Sequence, residues 1–169
     1  MKEVVPDANT LIYLAKADIL EILDRYRVFV GEKVYQEAVV SGKEKDVSDA
    51  YILEKHIEEN FERIGAKDSD FEREFKYFGA PGETEVYLIT DQKGCTAVTS
   101  DSTALNKMRR KDVEAIRTDM LLLRQLKNEH IGKKRLENLL TDLKSVNGTT
   151  SERFRFIIKK AEKIKGGEN

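Results

Sequence analysis

Cysteine is almost missing from this chain. It occurs once in 169 residues, as Cys95, so no internal disulfide can form. Histidine is nearly as scarce: His56 and His130 stand far apart, without the spacing of a zinc site. Cys95 opens an apolar run and reads as a small buried residue rather than a nucleophile. Both histidines sit among charged residues and read as surface or helix-end groups. No apolar run approaches the roughly 20 residues of a membrane span, and the start, "MKEVVPDANT", lacks the form of a signal peptide. The expectation is therefore a cytoplasmic protein with no membrane contact. There is no internal repeat and no low-complexity segment. Neither a G-x-S-x-G elbow nor a phosphate-cradling loop is present, which weighs against a phosphatase or other hydrolase built on those motifs.

What is present is a globular composition with a heavily charged surface, 40% hydrophobic and 36% charged. The abundance of Lys and Glu is a compositional hint of a thermophile. The formal net charge of −1 hides a segregation of sign. Acids are dense over residues 54 to 85, bases over 107 to 111 and 153 to 165, so the total says little about partners. The length suits one domain with a proper core and a small appendage.

Short apolar runs alternate with helical patterns over residues 1–132. "EVVP" at 3–6, "RVFV" at 27–30, "ERIGA" at 62–66, "CTAVTS" at 95–100 and "VEAIRT" at 113–118 read as strands. Between them, helices are expected over 9–26, 32–42, 46–61, 68–78, the stretch from Pro81 to Gly94, and 102–111, with another over 119–132. This alternation implies an α/β protein with a mainly parallel sheet and helices on both faces. Pro6 cannot donate to a ladder, so the first strand must be short or end there. After Gly132 the pattern is helix only. Residues 133–165 read as a C-terminal helical hairpin, with Phe154, Ile157, Ile158 and Ile164 on broadly one face, and 166–169 as a disordered tail.

Carboxylates recur at the strand ends, where α/β folds gather ligands. Asp7 follows the first strand in "VVPDANTLIYL"; a helix cap accounts for Asn9 or Thr10 but leaves Asp7 over. Asp101 follows the fourth strand in "AVTSDSTAL". Glu37 stands among apolar neighbours in "VYQEAVV", and Glu83 opens a helix in "PGETEVYLI", where the dipole favours an anion. Singly, each has an ordinary structural explanation. Converging without basic partners, they would repel one another unless a cation sat among them. Oxygen-only ligands suit Mg²⁺ or Mn²⁺, and the matching chemistry is phosphodiester hydrolysis by an activated water.

Four segments, "VVPDANTLIYL", "VFVGEKVYQEAV", "GETEVYLI" and "AVTSDSTAL", occur in order over about residues 1 to 130. Together they resemble the PIN domain family, the metal-dependent ribonuclease fold of VapC-type toxins and many archaeal proteins. The hairpin resembles the extension of an archaeal and bacterial branch of that family. The resemblance implies a three-layer α/β/α fold in which Asp7, Glu37, Glu83 and Asp101 form an acidic quartet holding Mg²⁺ or Mn²⁺. Asn9 and Ser100 would be polar groups behind it, with Asp119 an accessory acid; a helix cap explains Asp119 about as well. Glu85 is the alternative to Glu83 as ligand, since residues two apart on a helix do not face the same way. Pro6 and Gly31 depart from the family pattern, Gly31 standing where the branch often has proline.

A nuclease also needs bases near its acids. Lys107, Arg109, Arg110 and Lys111 follow Asp101 closely enough to grip flanking phosphates, although a solvated helix end explains them equally well. Arg153, Arg155, Lys159, Lys160, Lys163 and Lys165 form a second basic stretch, which could equally be a dimer or partner surface. Tyr35, Tyr77 and Phe78 could stack on bases or pack in the core. The expected activity is that of a divalent-metal-dependent endoribonuclease, with VapC-type toxin, antitoxin partner and homodimer following from the resemblance. The alternative is a catalytically inactive PIN-like module that binds RNA or protein.

Overall fold

The computed structural model describes residues 2–66 and 68–164. Five parallel strands, β1 (Glu3–Pro6), β2 (Arg27–Gly31), β3 (Glu62–Ile64), β4 (Thr96–Val98) and β5 (Ala115–Ile116), lie side by side in the order β3-β2-β1-β4-β5. β1 is central. It pairs with β2 through Val4↔Val28 and with β4 through Val5↔Ala97 and Pro6↔Val98. Pro6 ends its strand, and the ladder to β4 is continued by Asp7 N–H donating to the Val98 carbonyl at 2.9 Å. Val4, Val5, Val28, Phe29, Val30, Ala97 and Val98 are all buried, as a parallel sheet covered on both faces requires.

The helices are α1 (Ala8–Lys16), α2 (Glu32–Tyr35), α3 (Ser41–Glu44), α4 (Ser48–Asn60), α5 (Phe71–Phe78), α6 (Pro81–Lys93), α7 (Ser102–Arg110), α8 (Thr118–Lys127), α9 (Lys133–Ser145) and α10 (Ser151–Glu162). α6 crosses β1, β2 and β4, and its buried run Thr84–Thr90 explains why it shows no clear amphipathic stripe. α1 packs on α4, while α9 and α10 fold onto α8. The result is a three-layer α/β/α fold. Leu136, Leu139, Leu140, Leu143 and Ile157 of the last two helices belong to the same buried cluster as the sheet. Gln125 on α8 ties this layer to α1's side of the molecule by donating to the Ile22 carbonyl. Among the described residues no helix is long and apolar enough to cross a membrane.

Several helices differ from the sequence expectation: that over 119–132 ends at Lys127, with Glu129 at φ +58, and that over 68–78 opens as a 3₁₀ turn. The helix expected over 9–26 stops at Lys16, because Asp18 adopts φ +55, and the chain resumes as a 3₁₀ turn over Leu20–Leu23. The helix expected over 32–42 is interrupted by a π turn, Gln36–Val40, between α2 and α3, closed by Ser41 N–H donating to the Gln36 carbonyl. β3, β4 and β5 are shorter than expected. The tail expected at 166–169 lies outside the described residues.

Candidate active site

Asp7, Asn9, Glu37, Glu83 and Asp101 line one small pocket with Ala8, Ala80 and Gly82, at the carboxyl ends of β1 and β4. Each acid arrives on a different element. Asp7 is the N-cap of α1: its Oδ1 accepts from Thr10 N–H at 2.7 Å, so the residue read as lying ahead of the cap is the cap itself. Asp101 does the same for α7, accepting from Ala104 N–H at 2.7 Å. Capping fixes both carboxylates at strand ends without neutralising them. Glu37 projects from the π turn, a distortion often found at functional sites. A Cβ on Gly82 would stand 3.0 Å from Glu37 Oε2, so the bare backbone at the start of α6 lets that carboxylate come close. Glu83 is the next residue of the same first turn.

The electrostatics are those of crowded anions. Asp7 is 6% exposed, and burial pushes its carboxyl up, opposed by hydrogen bonds from Thr99 and Thr10 and reinforced by Asp101. Glu37 is raised by burial and then by Asp7. Glu83 is raised by burial, with Lys107 pulling down and Asp101, Asp7 and Glu37 pushing up. None of the four makes a salt bridge among the described residues. Crowded, oxygen-only donors without an intramolecular cation suit Mg²⁺ or Mn²⁺ in kind. Among the described residues no three acids, histidines or cysteines are drawn together closely enough to hold an ion as they stand.

Behind the pocket runs a hydroxyl chain. Thr10 Oγ1 donates to the Val98 carbonyl at 3.2 Å and lies 3.1 Å from Thr118 Oγ1, which is 2.8 Å from Ser100 Oγ. Thr99 Oγ1 accepts from Asp101 N–H at 3.0 Å. Ser100 is thus part of the support expected of it. Thr10, Thr99 and Thr118 are not among the residues expected there, although hydroxyl residues one to three positions from Asp7, Asp101 and Asp119 were the available signal. Asn9 is exposed on the pocket rim.

Other residues singled out in the sequence do different work. Glu85, 3% exposed, turns away from the pocket: its Oε2 accepts from Lys33 N–H at 2.6 Å and Val34 N–H at 3.2 Å, capping α2. Gly31 is required by that contact, because a Cβ there would stand 2.1 Å from Glu85 Oε2. Asp119 is not an accessory acid of the pocket; both its oxygens are held by Arg153, at 2.7 and 2.9 Å. Arg153 is thereby withdrawn from the hairpin's basic stretch. Lys111 pairs with the buried Glu74 at 2.7 Å, and Lys107 donates to the Phe78 carbonyl at 2.6 Å beside Glu83. Arg109 reaches the Ala115 carbonyl at 3.3 Å, and Arg110 is exposed. Tyr35 and Phe78 are buried, whereas Tyr77 is exposed. Cys95 is buried, its thiol pushed up to about 11, unsuited to nucleophilic work.

Residues 3–163 match the family model DUF3368, a PIN domain. The chain belongs to the PIN domain family. Members of this family are generally nucleases that use divalent metals. The match runs through α9 and α10, so the hairpin lies within the family pattern. Among solved structures, PAE2754 from Pyrobaculum aerophilum superimposes with a TM-score of 0.56 at 20% identity, over 73% of this chain and 96% of its own. A PilT N-terminus domain protein, SSO1118 from the archaeon Sulfolobus solfataricus P2, gives 0.47 at 16% identity, over 73% and 93%. The first of these likenesses supports the fold alone. A search of curated proteins returns no significant match.

Proposed function

We propose that this PIN domain is a divalent-metal-dependent endoribonuclease whose site is the pocket of Asp7, Glu37, Glu83 and Asp101. The observation that carries the reading is the arrival of four carboxylates from four elements at one pocket, with no salt bridge among the described residues to any of them. These four would hold Mg²⁺ or Mn²⁺, which supplies charge neutralisation at a phosphodiester and a water acidified for attack. The protein's own part is positional. Asp7 and Asp101 are fixed by the caps they make. Glu83 and Glu37, brought in by the first turn of α6 and the π turn, complete the acidic lining. Lys107, beside Glu83, balances part of the pocket's charge.

The test is cleavage of a mixed single-stranded RNA pool in Mg²⁺ or Mn²⁺, then in EDTA. Wild type should cut only with metal, and Asp7→Asn, which keeps a competent helix cap, should lose cleavage by at least about a hundredfold while staying folded. Undiminished cutting by that variant would remove Asp7 from the site. A toxin role, with an antitoxin and a homodimer as partners in the cytoplasm, rests on the family resemblance. Growth arrest on expression of wild type but not of Asp7→Asn is its measurement.

One observation favours a second reading, a PIN module that binds RNA or protein without turnover: no three carboxylates are yet gathered at ligating distance among the described residues. Calorimetry separates the two. A nuclease takes up Mn²⁺ through Asp7 and Asp101; the binding module does not.

A further inference from the structure

We infer that Arg117 binds a backbone phosphate of the RNA strand beside the acidic pocket. The inference rests on the ribonuclease reading and adds to it a cation placed for the substrate. Of the bases that follow Asp101 in sequence, Lys111 is engaged by Glu74, Lys107 by the Phe78 carbonyl and Arg109 by the Ala115 carbonyl, while Arg110 is exposed at the far end of α7. A site built from four acids still has to hold a polyanion.

Arg117 stands between β5 and α8, at the carboxyl edge of the strand that pairs with β4. Its Nη1 donates to Ser102 Oγ at 3.0 Å, and Ser102 follows Asp101 as the first residue of α7. The guanidinium therefore lies against the element that carries a pocket acid. It is under-partnered. The side chain is 16% exposed, and among the described residues Nε is buried without an acceptor. Its nearest acid is Asp119, whose Oδ2 lies 3.8 Å from Nε, beyond hydrogen-bonding range. Asp119 cannot serve it better, because Arg153 takes both carboxylate oxygens and Thr149 Oγ1 donates to Oδ2 at 3.2 Å. Arg153, from the hairpin, thus keeps Arg117 available. The Nη side of this planar fork, at the exposed residue that follows Asp101, is matched by the oxygens of a phosphodiester.

The experiment reads binding rather than cleavage, so that it stands apart from turnover. A short fluorescently labelled single-stranded RNA is titrated with the Asp7→Asn protein in EDTA across a series of KCl concentrations. Relative to that parent, Arg117→Met should weaken binding several-fold and flatten the salt dependence by about 0.7, the value for one single-strand phosphate. Arg117→Lys should keep the slope but bind more weakly, since a lysine retains the charge and loses the fork. Should Arg117→Met fail to fold, the Arg117→Lys comparison decides alone, and unchanged affinity overturns the inference. Arg155→Met, on the exposed side of α10, is the control. An equal loss there would mean bulk charge and not a site. If Arg117→Met binds as its parent does, the inference falls and the ribonuclease reading stands. If the parent binds no RNA at all, the inference falls, and the ribonuclease reading is decided separately by cleavage in Mn²⁺.

Discussion

Two sets of acids divide this molecule. Asp119, Glu74 and Glu85 are 2–3% exposed and fully engaged: Asp119 by the fork of Arg153, Glu74 by Arg73 and Lys111, Glu85 by two backbone N–H groups of α2. Asp7, Glu37, Glu83 and Asp101 line one pocket with no salt bridge to any of them among the described residues. Burial alone does not separate the sets, since Asp7 is as hidden as the others. What separates them is the partner. An acid whose counter-charge or hydrogen-bond donors come from distant parts of the chain belongs to the fold, and one whose counter-charge must come from outside belongs to a site. The comparison can be broken by removing partners from the first set and charges from the second.

The largest effect should come from Arg153→Met. It leaves Asp119 buried with only the Thr149 hydroxyl and a distant Arg117, and breaking such a pair costs about 3 kcal/mol or more. Urea unfolding would read it, with the exposed Arg155→Met expected near zero. A small loss for Arg153→Met would mean that Asp119 is not held by it. Next comes Gly31→Ala. The new Cβ must displace Glu85 from the N–H groups of Lys33 and Val34, charge-assisted bonds worth about 1.5–3 kcal/mol. Adding Glu85→Ala should then cost less than it does alone, because the two substitutions remove one contact. Strict additivity of the pair would show that the glycine and the glutamate are not coupled.

The second set should respond in the opposite direction. Asp7→Asn removes one of four mutually repelling charges and keeps the α1 cap, so without metal the variant should melt on the order of 2–4 °C above wild type. Mn²⁺ should raise the Tm of wild type and leave the variant nearly unmoved, by the linkage of binding to stability. A variant less stable than wild type in EDTA would place Asp7 with the structural acids.

The same division explains what could be read from the chain beforehand. Asp7, Glu83 and Asp101 stand within a residue or two of a strand end or helix start, so their position follows from local order. The partners of Glu85 and Asp119 lie 51–52 and 34 residues away, and no local pattern announces them. Glu85 and Asp119 therefore looked like further ligands, and Lys111 and Arg153 like free bases. The sheet was legible because its strands are short apolar runs between helices. The break of the first helix was not, because it depends on one residue, Asp18, adopting a left-handed conformation that its sequence permits but does not demand. The π turn beneath Glu37 is likewise invisible in a pattern that continues as helix on both sides.

The smallest effect, and the one that tests the division most directly, is the dependence on pH without metal. Asp7 has a carboxyl raised above its unfolded value. Its ionisation therefore disfavours the fold: the excess stability of Asp7→Asn over wild type should be absent below about pH 3.8, the ordinary aspartate value, and grow as pH rises through the folded value. Glu74 has a carboxyl lowered first by Lys111 and further by Arg73. The excess of wild type over Glu74→Gln should therefore be complete above pH 4.5, the ordinary glutamate value, and disappear as pH falls through the folded value. Thermal unfolding of the three proteins from neutral to acid should show two gaps of opposite sign that both close at low pH. Gaps of the same sign would mean that Asp7, like Glu74, has its counter-charge within the chain, and the pocket would then have no call on a metal.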